Sequence, residues 1–171
     1  MTPPDLPLTD LSGTFWRIVW QHGAGAVLDG VSSPEGRLHH SGQSALYLSP
    51  RPDWAAMAVN AYLRPDDPPR VLVSLTVASA RVADLRNADI CAALGITTQT
   101  AGIPWQPERQ AGHPASSWAA SDAVRATHAD GLIYPARSYP DRWHVVLHRW
   151  NAPGCASVTA TGMPEPWTPP A

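Results

Sequence analysis

The sequence predicts a single α+β domain in which several helices pack against a curved, mixed β-sheet. The chain has 171 residues, which is the usual size of one domain that can bury its own core. Apolar residues make up 44% of the chain, as is typical of a globular protein. The predicted elements run in the order β, β, α, β, α, α, β, β. Because strands do not alternate strictly with helices, a doubly wound fold is excluded.

The first strands flank two loops. Bulky residues alternate along Thr14 to Trp20, which predicts a strand with Arg17 at its centre. Glycine, serine and proline between Gly23 and Gly36 predict a loop. A polar, glycine-bounded loop then covers Gly36 to Gln43, and Ser44 to Ser49 is predicted to be a short strand.

A helix is expected from Trp54 to Leu63, because this segment consists of good helix formers. Asp53 precedes it and is the predicted N-cap. The prolines that follow Arg64 end the helix. The residues predicted to line one face of this helix are Trp54, Met57, Ala58 and Ala61.

The middle of the chain contains the clearest strand, from Arg70 to Val77, where β-branched residues alternate. Asp84 to Leu94 is predicted to be a helix that Gly95 closes. Thr97 to Pro114 is irregular, and a loop of this length is often a lid or a variable insert. Ser116 to His128 predicts a second helix with a serine cap.

The last two predicted strands are Gly131 to Tyr134 and Trp143 to His148. Prolines concentrate at both ends of the chain, so we expect extended tails at residues 1–12 and 153–171. The folded domain is then expected to cover residues 13–152.

Composition narrows the classes of function. The net charge is −2 and no run of basic residues is present, which argues against a nucleic-acid surface. No apolar stretch is long enough to span a bilayer, and the first 20 residues carry no secretory signal pattern. Cys91 and Cys155 lack any motif spacing, so we expect free thiols in a cytoplasmic protein.

Arginine, glycine and tyrosine cluster in the predicted scheme, and they form the candidate site. Arg17 lies on the first strand, and Gly36 and Arg37 lie in the polar loop beside two histidines. Arginine binds phosphate oxygens bidentately, and glycine allows close approach of the backbone. Tyr47 on the next strand can stack on a flat ring. Arg137 follows Tyr134 near the end of the domain and joins this set as a candidate for ligand binding.

Each of these residues also has an ordinary structural explanation. An arginine is more often a solvated surface charge than a ligand, and a tyrosine in a strand is more often part of the core. No HExxH, CxxC, GxGxxG, GxxxxGK[ST] or GxSxG pattern occurs, so a metal site, a Rossmann fold, a P-loop and an α/β-hydrolase site are not predicted.

Segments in a fixed order resemble the RES domain family, a group of small bacterial toxin domains. The matching pieces are WRI at Trp16 to Ile18, the loop and tyrosine strand at Glu35 to Ser49, the helix at Trp54 to Leu63, and SDAVRATHADGLIYPARS at Ser121 to Ser138. Together they cover most of the chain from Thr14 to Asn151.

This resemblance implies an ADP-ribosyltransferase-like fold and cleavage of the nicotinamide–ribose bond of NAD by phosphate or water. NAD is then a substrate, inorganic phosphate a second one, and no prosthetic group is needed. It also implies an antitoxin with a helix-turn-helix region that blocks the cleft. By position, Arg17 and Arg37 would bind the NAD phosphates and ribose, and Tyr47 would pack on the nicotinamide end.

Two expected residues of the family are missing. Ala58 stands where the family has a glutamate, and Ala136 where it has a serine, although Ser138 could substitute if the turn shifts. Three explanations stay open: a divergent enzyme that uses Glu35 or Asp53, a degenerate copy that only binds nucleotide, or substitutions that inactivate a toxic enzyme. Transfer of ADP-ribose to a protein is a further alternative.

A role in protein interaction without any small ligand is also open. The chain has eight tryptophans and a proline-rich end, and exposed aromatic residues often mark interfaces. Burial of most of these tryptophans in the core is the simpler expectation.

Overall fold

The computed structural model describes residues 5–170. Its strands are β1 (Thr9–Trp20), β2 (Leu46–Leu48), β3 (Arg70–Asp84), β4 (Gly131–Pro135), β5 (Trp143–Leu147) and β6 (Ser157–Trp167). Its α-helices are α1 (Pro52–Asn60), α2 (Ala88–Ala93), α3 (Trp105–Gln110) and α4 (Trp118–Arg125), and 3₁₀ helices cover Gln21–Asp29 and Thr100–Gly102. None of the helices in the described part of the chain is long and apolar enough to cross a membrane.

The six strands form one mixed sheet, in which five follow the order β1-β3-β4-β5-β2 and β6 lies off this path. The β3–β4 pair is parallel and the other pairs are antiparallel, and β6 pairs with the first part of β3. Ser49, directly after β2, exchanges two backbone hydrogen bonds of 2.8 and 2.9 Å with Trp16 of β1. These bonds join the two ends of the sheet, so the predicted curved mixed sheet is confirmed.

Two hydrophobic clusters fill the faces of this sheet. The first lies inside the curve and includes Phe15, Leu75, Ile133 and Val145. The second lies under α2 and α4 and contains the buried residues Leu85, Ile90, Val124, Leu132 and Val146. Since Ile133 and Leu132 belong to different clusters, β4 is buried on both faces, as expected for a strand in the middle of a covered sheet.

The long pairing of β1 with β3 extends both strands beyond the predicted limits. It runs from Thr9 opposite Val82 to Trp20 opposite Arg70. The segment that begins at Asp84 is consequently strand and not helix at its start. The helix α2 begins only at Ala88, after the Asn87 side chain, which accepts backbone hydrogen bonds at the N-terminus of α2.

Both predicted tails contain strand residues. β1 already begins within the segment 1–12, whose first four residues lie outside the described part of the chain. In the segment 153–171, β6 pairs antiparallel with β3 from Arg70 opposite Trp167 to Ala78 opposite Ser157. The prolines of β6 are tolerated because this strand lies at the edge of the sheet.

The helix α1 differs from its prediction in cap and orientation. Arg51 occupies the N-cap position, and Asp53 lies in the first turn, where it accepts a hydrogen bond of 2.9 Å from Nε of Arg51. Ala55 is the buried residue of α1. Ala58 is exposed, so the helix face predicted to contain Trp54, Met57, Ala58 and Ala61 is only partly buried.

Two further segments are more ordered than predicted. The presumed loop from Thr97 to Pro114 contains one 3₁₀ helix and α3. The 3₁₀ helix at Gln21–Asp29 likewise lies within a segment predicted to be loop. Ser117 is the N-cap residue of α4, yet its hydroxyl makes no capping hydrogen bond.

Candidate functional site

The backbone of the Gly36–Gln43 loop is tied to α4. The indole Nε1 of Trp118 donates to the Gly36 carbonyl at 2.8 Å, and the Ser117 hydroxyl donates to the Arg37 carbonyl at 2.5 Å. The Gly36 N–H donates to the His39 carbonyl at 2.9 Å. A Cβ on Gly36 would lie 2.5 Å from the His39 ring, so this position requires glycine for packing. Both polar groups of the Gly36 backbone therefore have protein partners.

Tyr47 of β2 is hydrogen-bonded to the same loop. Its hydroxyl accepts a 3.0 Å hydrogen bond from the Leu38 N–H, and lies 2.8 Å from Nδ1 of His39. Nε2 of His39 lies 3.1 Å from the Ser33 carbonyl, which can only accept, so Nε2 carries the proton and Nδ1 accepts from Tyr47. Burial raises the pKa of Tyr47 above its usual range, so the phenol stays neutral.

A second connection joins the end of the loop to α4. Nε2 of His40 lies 2.9 Å from the Asp122 carboxylate, and the His40 ring stacks on Trp118 at 4.6 Å. The Gln43 side chain donates to the same carboxylate at 3.3 Å. With these contacts, the loop is fixed at both of its ends.

The guanidinium of Arg37 is the part of this loop that the protein leaves free. It makes no hydrogen bond or ion pair with any of the residues 5–170, although its backbone is held on both sides. Its positive charge acts on Tyr134 and His144, lowering the pKa of each. Burial has the larger effect on Tyr134 and raises its pKa to about 12. The Arg37 charge is thus close enough to a buried pair of rings on β4 and β5 to influence both.

Sequence reasoning did not single out that pair. Tyr134 and His144 lie opposite each other on β4 and β5, with ring centroids 5.6 Å apart. Nδ1 of His144 forms a buried 2.8 Å hydrogen bond with the Ser49 hydroxyl. Burial lowers the pKa of His144 to about 4, so the ring is neutral at pH 7. The position of His144 directly before the apolar run Val145 to Leu147 in β5 was the available signal.

Arg17 lies inside the curve of the sheet, on the opposite face of β1 from Trp16. Its NH1 donates to the Val27 carbonyl at 3.3 Å, and we find no carboxylate partner for it in the described part of the chain. Burial lowers the pKa of Arg17 to about 10, which leaves it charged at neutral pH. A half-buried cation with a single carbonyl partner favours a bound anion.

A cavity of about 510 Å³ opens where β3 and β4 end. Ala136 lies two residues beyond Tyr134, which is roughly 7 Å in an extended chain. Arg86 is fixed by a hydrogen bond of 2.7 Å to Asp84 and lies over Trp143. The lining includes Arg86, Thr98, Gln99, Ile103, Ala136 and Arg137.

The remaining predicted residues are spread around the cleft. Ser138 is exposed, and no hydrogen bond joins its hydroxyl to another described residue. Glu35 is paired with Arg109 at 3.2 Å, and Asp53 is exposed beside Arg51. Carboxylates are absent from the groups whose charges act on the Arg17, Tyr134 and His144 side chains. The site therefore combines cations and aromatic rings, and Asp84, a carboxylate beside the cavity, is already paired with Arg86.

The comparisons with known proteins agree with this architecture. The model of the RES domain family matches residues 14–169. Among solved structures, the M. tuberculosis MbcT–MbcA toxin–antitoxin complex contains a similar chain. The two chains are 18% identical and superpose with a TM-score of 0.60 over 95% of this chain and 87% of the other. A search of curated protein sequences gave no significant match. This likeness confirms the α+β fold, and the family match shows that the chain belongs to the RES domain family.

Proposed function

We propose that this chain is a toxin that binds NAD in the cleft between Arg37 and the 510 Å³ cavity and cleaves the nicotinamide–ribose bond. The observation that carries the proposal is the guanidinium of Arg37, which has no partner among residues 5–170 although its backbone is held by α4. Hydrogen bonds from arginine to phosphate are among the stronger ones in proteins. The volume of the cavity lies within the usual range for ligand pockets.

The phosphates of NAD would bind to Arg37, with Arg17 adding positive charge from inside the sheet. Arg137 lines the cavity and is exposed, so it can approach a ligand phosphate from the outer side. Tyr47 would contribute its ring to the nicotinamide end, while its hydroxyl stays bonded to the loop. The neutral rings of Tyr134 and His144 exclude water from the buried end, where the bond would break.

Cleavage breaks the bond between C1 of the ribose and the ring nitrogen of nicotinamide, and nicotinamide leaves as a neutral molecule. The ribosyl centre becomes cationic and takes an oxygen from phosphate or water. The products are ADP-ribose 1-phosphate or ADP-ribose, with nicotinamide and one proton. An alcohol or amine on a protein could replace water, and the product would then be an ADP-ribosylated protein.

The test is incubation of the purified chain with NAD, with and without phosphate, followed by separation of products by chromatography. We expect nicotinamide in both reactions and ADP-ribose 1-phosphate only where phosphate is present. Intact NAD after long incubation at high protein concentration, with the protein shown to be folded, would contradict the proposal.

Binding without cleavage is the second candidate, and the missing acid favours it. Ala58 and Ala136 stand at the expected glutamate and serine, and Glu35 already pairs with Arg109. Loss of a positioned acid or base costs ~10²–10⁴ in rate. Calorimetric titration that shows NAD binding, together with no release of nicotinamide, would establish this candidate.

An antitoxin partner is part of the same proposal. The similar chain from M. tuberculosis was solved as a toxin–antitoxin complex. We expect a partner with a helix-turn-helix region that covers the cleft and competes with NAD. Co-expression with such a protein from a neighbouring gene should yield a complex that no longer binds NAD.

A further inference from the structure

Two aromatic residues that are at least partly exposed meet near the cavity. Nε1 of Trp105, the first residue of α3, donates a 3.1 Å hydrogen bond to the hydroxyl of Tyr62, which follows α1. Tyr62 is 41% exposed and Trp105 is partly exposed. Neither ring belongs to the two hydrophobic clusters. Packing of the core therefore does not explain their position.

The helix that carries Trp105 is held only lightly. It buries none of its residues. Besides the Trp105–Tyr62 bond, its side chains are held by polar or cation–π contacts: Glu108 to Ser116, and Arg109 to Glu35 and to Trp118. Because α3 has no fully buried residue, the Trp105 ring can shift to fit a ligand at low cost.

The pair adjoins the cavity through Trp105. The segment that leads into α3 lines the cavity with Gly102 and Ile103, and Trp105 follows Ile103 by two residues. Tyr62 is joined to Trp105 by the 3.1 Å hydrogen bond. The aromatic pair therefore stands beside the cavity.

We propose that Tyr62 and Trp105 form a clamp for the adenine base of the ligand, an inference that rests on the proposed NAD site. A flat base can stack on either ring, and such stacking tolerates small displacements. The bond to be broken needs protection from water, which the buried end near Tyr134 provides. Adenine takes no part in the chemistry, so it suits the exposed mouth.

The experiment measures calorimetric affinities for ADP-ribose, which has adenine without nicotinamide, and for nicotinamide mononucleotide, which has nicotinamide without adenine. The alanine variants Tyr62→Ala and Trp105→Ala are compared with the natural chain and with Met163→Ala. Met163 is 86% exposed on β6 and serves as the control for loss of an exposed apolar side chain. Tyr62→Phe keeps the ring and removes only the bond to Trp105.

We expect each alanine variant to bind ADP-ribose about 5- to 150-fold more weakly, the range that loss of one stacked base implies. Affinity for nicotinamide mononucleotide and the melting temperature should not change. Where NAD is turned over, KM should rise while kcat changes little. Tyr62→Phe should retain most of the affinity.

Unchanged affinity of the alanine variants for ADP-ribose would overturn the clamp and leave the proposed function standing. An equal loss for both ligands would also overturn it, because the pair would then not be specific for adenine. Failure of the natural chain to bind either NAD or ADP-ribose would overturn the proposed function as well.

Discussion

The two sides of the cleft differ in how the protein holds them. On one side, the Gly36–Gln43 loop is attached to α4 and Tyr47 by side-chain hydrogen bonds at its start, middle and end. On the other side, α3 and Tyr62 meet through one hydrogen bond between partly exposed rings. We refer to these as the fixed side and the loose side.

This difference shows how a small domain can position charge and still admit a large ligand. The fixed side holds the backbone of Arg37 in place, so little conformational entropy remains to be lost when the guanidinium binds an anion. The loose side can open without disturbing either hydrophobic cluster, because α3 buries no residue. Recognition of phosphate is thus expected to depend on the rigid backbone of the fixed side. Recognition of the base is expected to depend on movement of the loose side.

The largest expected effect comes from adding an acid to α1, the helix that precedes Tyr62. Ala58 is exposed on α1, and the sequence resemblance predicts a glutamate at this position. A carboxylate there can stabilise the ribosyl cation, so Ala58→Glu should raise nicotinamide release ~10²–10⁴-fold. Ala92→Glu, an exposed alanine on α2, should have no effect in the same assay. No increase with Ala58→Glu would mean that α1 does not present this residue to the ribose.

Removal of the Arg37 guanidinium tests the fixed side. Arg37→Ala should weaken binding of NAD about 10- to 100-fold, because hydrogen bonds between charged groups contribute about 1.5–3 kcal/mol. The melting temperature should stay the same, since the guanidinium has no partner among the described residues. Arg37→Lys should restore only part of the affinity, because lysine lacks the bidentate geometry. Calorimetry and thermal denaturation provide both measurements, and unchanged affinity would contradict our placement of the phosphates.

Local sequence patterns were sufficient for the sheet but not for its edges. Alternating residues located β1 and β3, because a strand buried on one or both faces leaves a clear pattern. The strand β6 was missed because its prolines and exposed residues resemble those of a tail. Pairing with β3 determines its structure, and that partner is distant in the chain: Thr76 pairs with Thr159, 83 positions later.

The candidate site was likewise predicted only in part, because contacts between residues distant in the chain cannot be read from local patterns. Arg17, Arg37 and Tyr47 were recognised by residue type and order, and their roles as ligand-binding residues remain predictions. The Ser49–His144 bond joins residues 95 positions apart, and only the folded sheet brings them together. The hydroxyl of Tyr47 could not be assigned to the loop from sequence, because its partners depend on how the loop folds back.

A buried histidine beneath the fixed side provides the next test. Both ring nitrogens of His148 are buried without a partner among the described residues, and burial lowers its pKa to about 3. Leucine has no polar atoms to bury, so His148→Leu should raise the free energy of unfolding at pH 7.5 by about 1–3 kcal/mol. Denaturation in urea is the measurement, with His128→Leu, an exposed histidine, as the control.

The same variant should alter the dependence on pH. The folded pKa of His148 lies below the unfolded value of about 6.5, so the unfolded chain takes up the proton first as the pH falls. Stability should therefore decrease between about pH 6.5 and pH 3, and less steeply in His148→Leu. In this variant His144, whose pKa is about 4, should still contribute to the loss of stability as the pH falls. Equal slopes in the two proteins would show that His148 does not titrate in this range.

The smallest expected effect comes from substituting two neighbouring serines, one on each side of the cleft. Ser117 donates to the Arg37 carbonyl on the fixed side, whereas Ser116 donates to Glu108 of α3 on the loose side. Each hydrogen bond contributes about 0.5–1.5 kcal/mol, so Ser117→Ala should weaken binding of ADP-ribose about 2- to 10-fold by releasing the Arg37 backbone. Ser116→Ala should change this affinity less than twofold, because α3 already adjusts to the ligand. Equal losses in the two variants, measured by calorimetry, would show that the sides do not differ in rigidity, and binding of phosphate would then depend on α3 as much as on the loop.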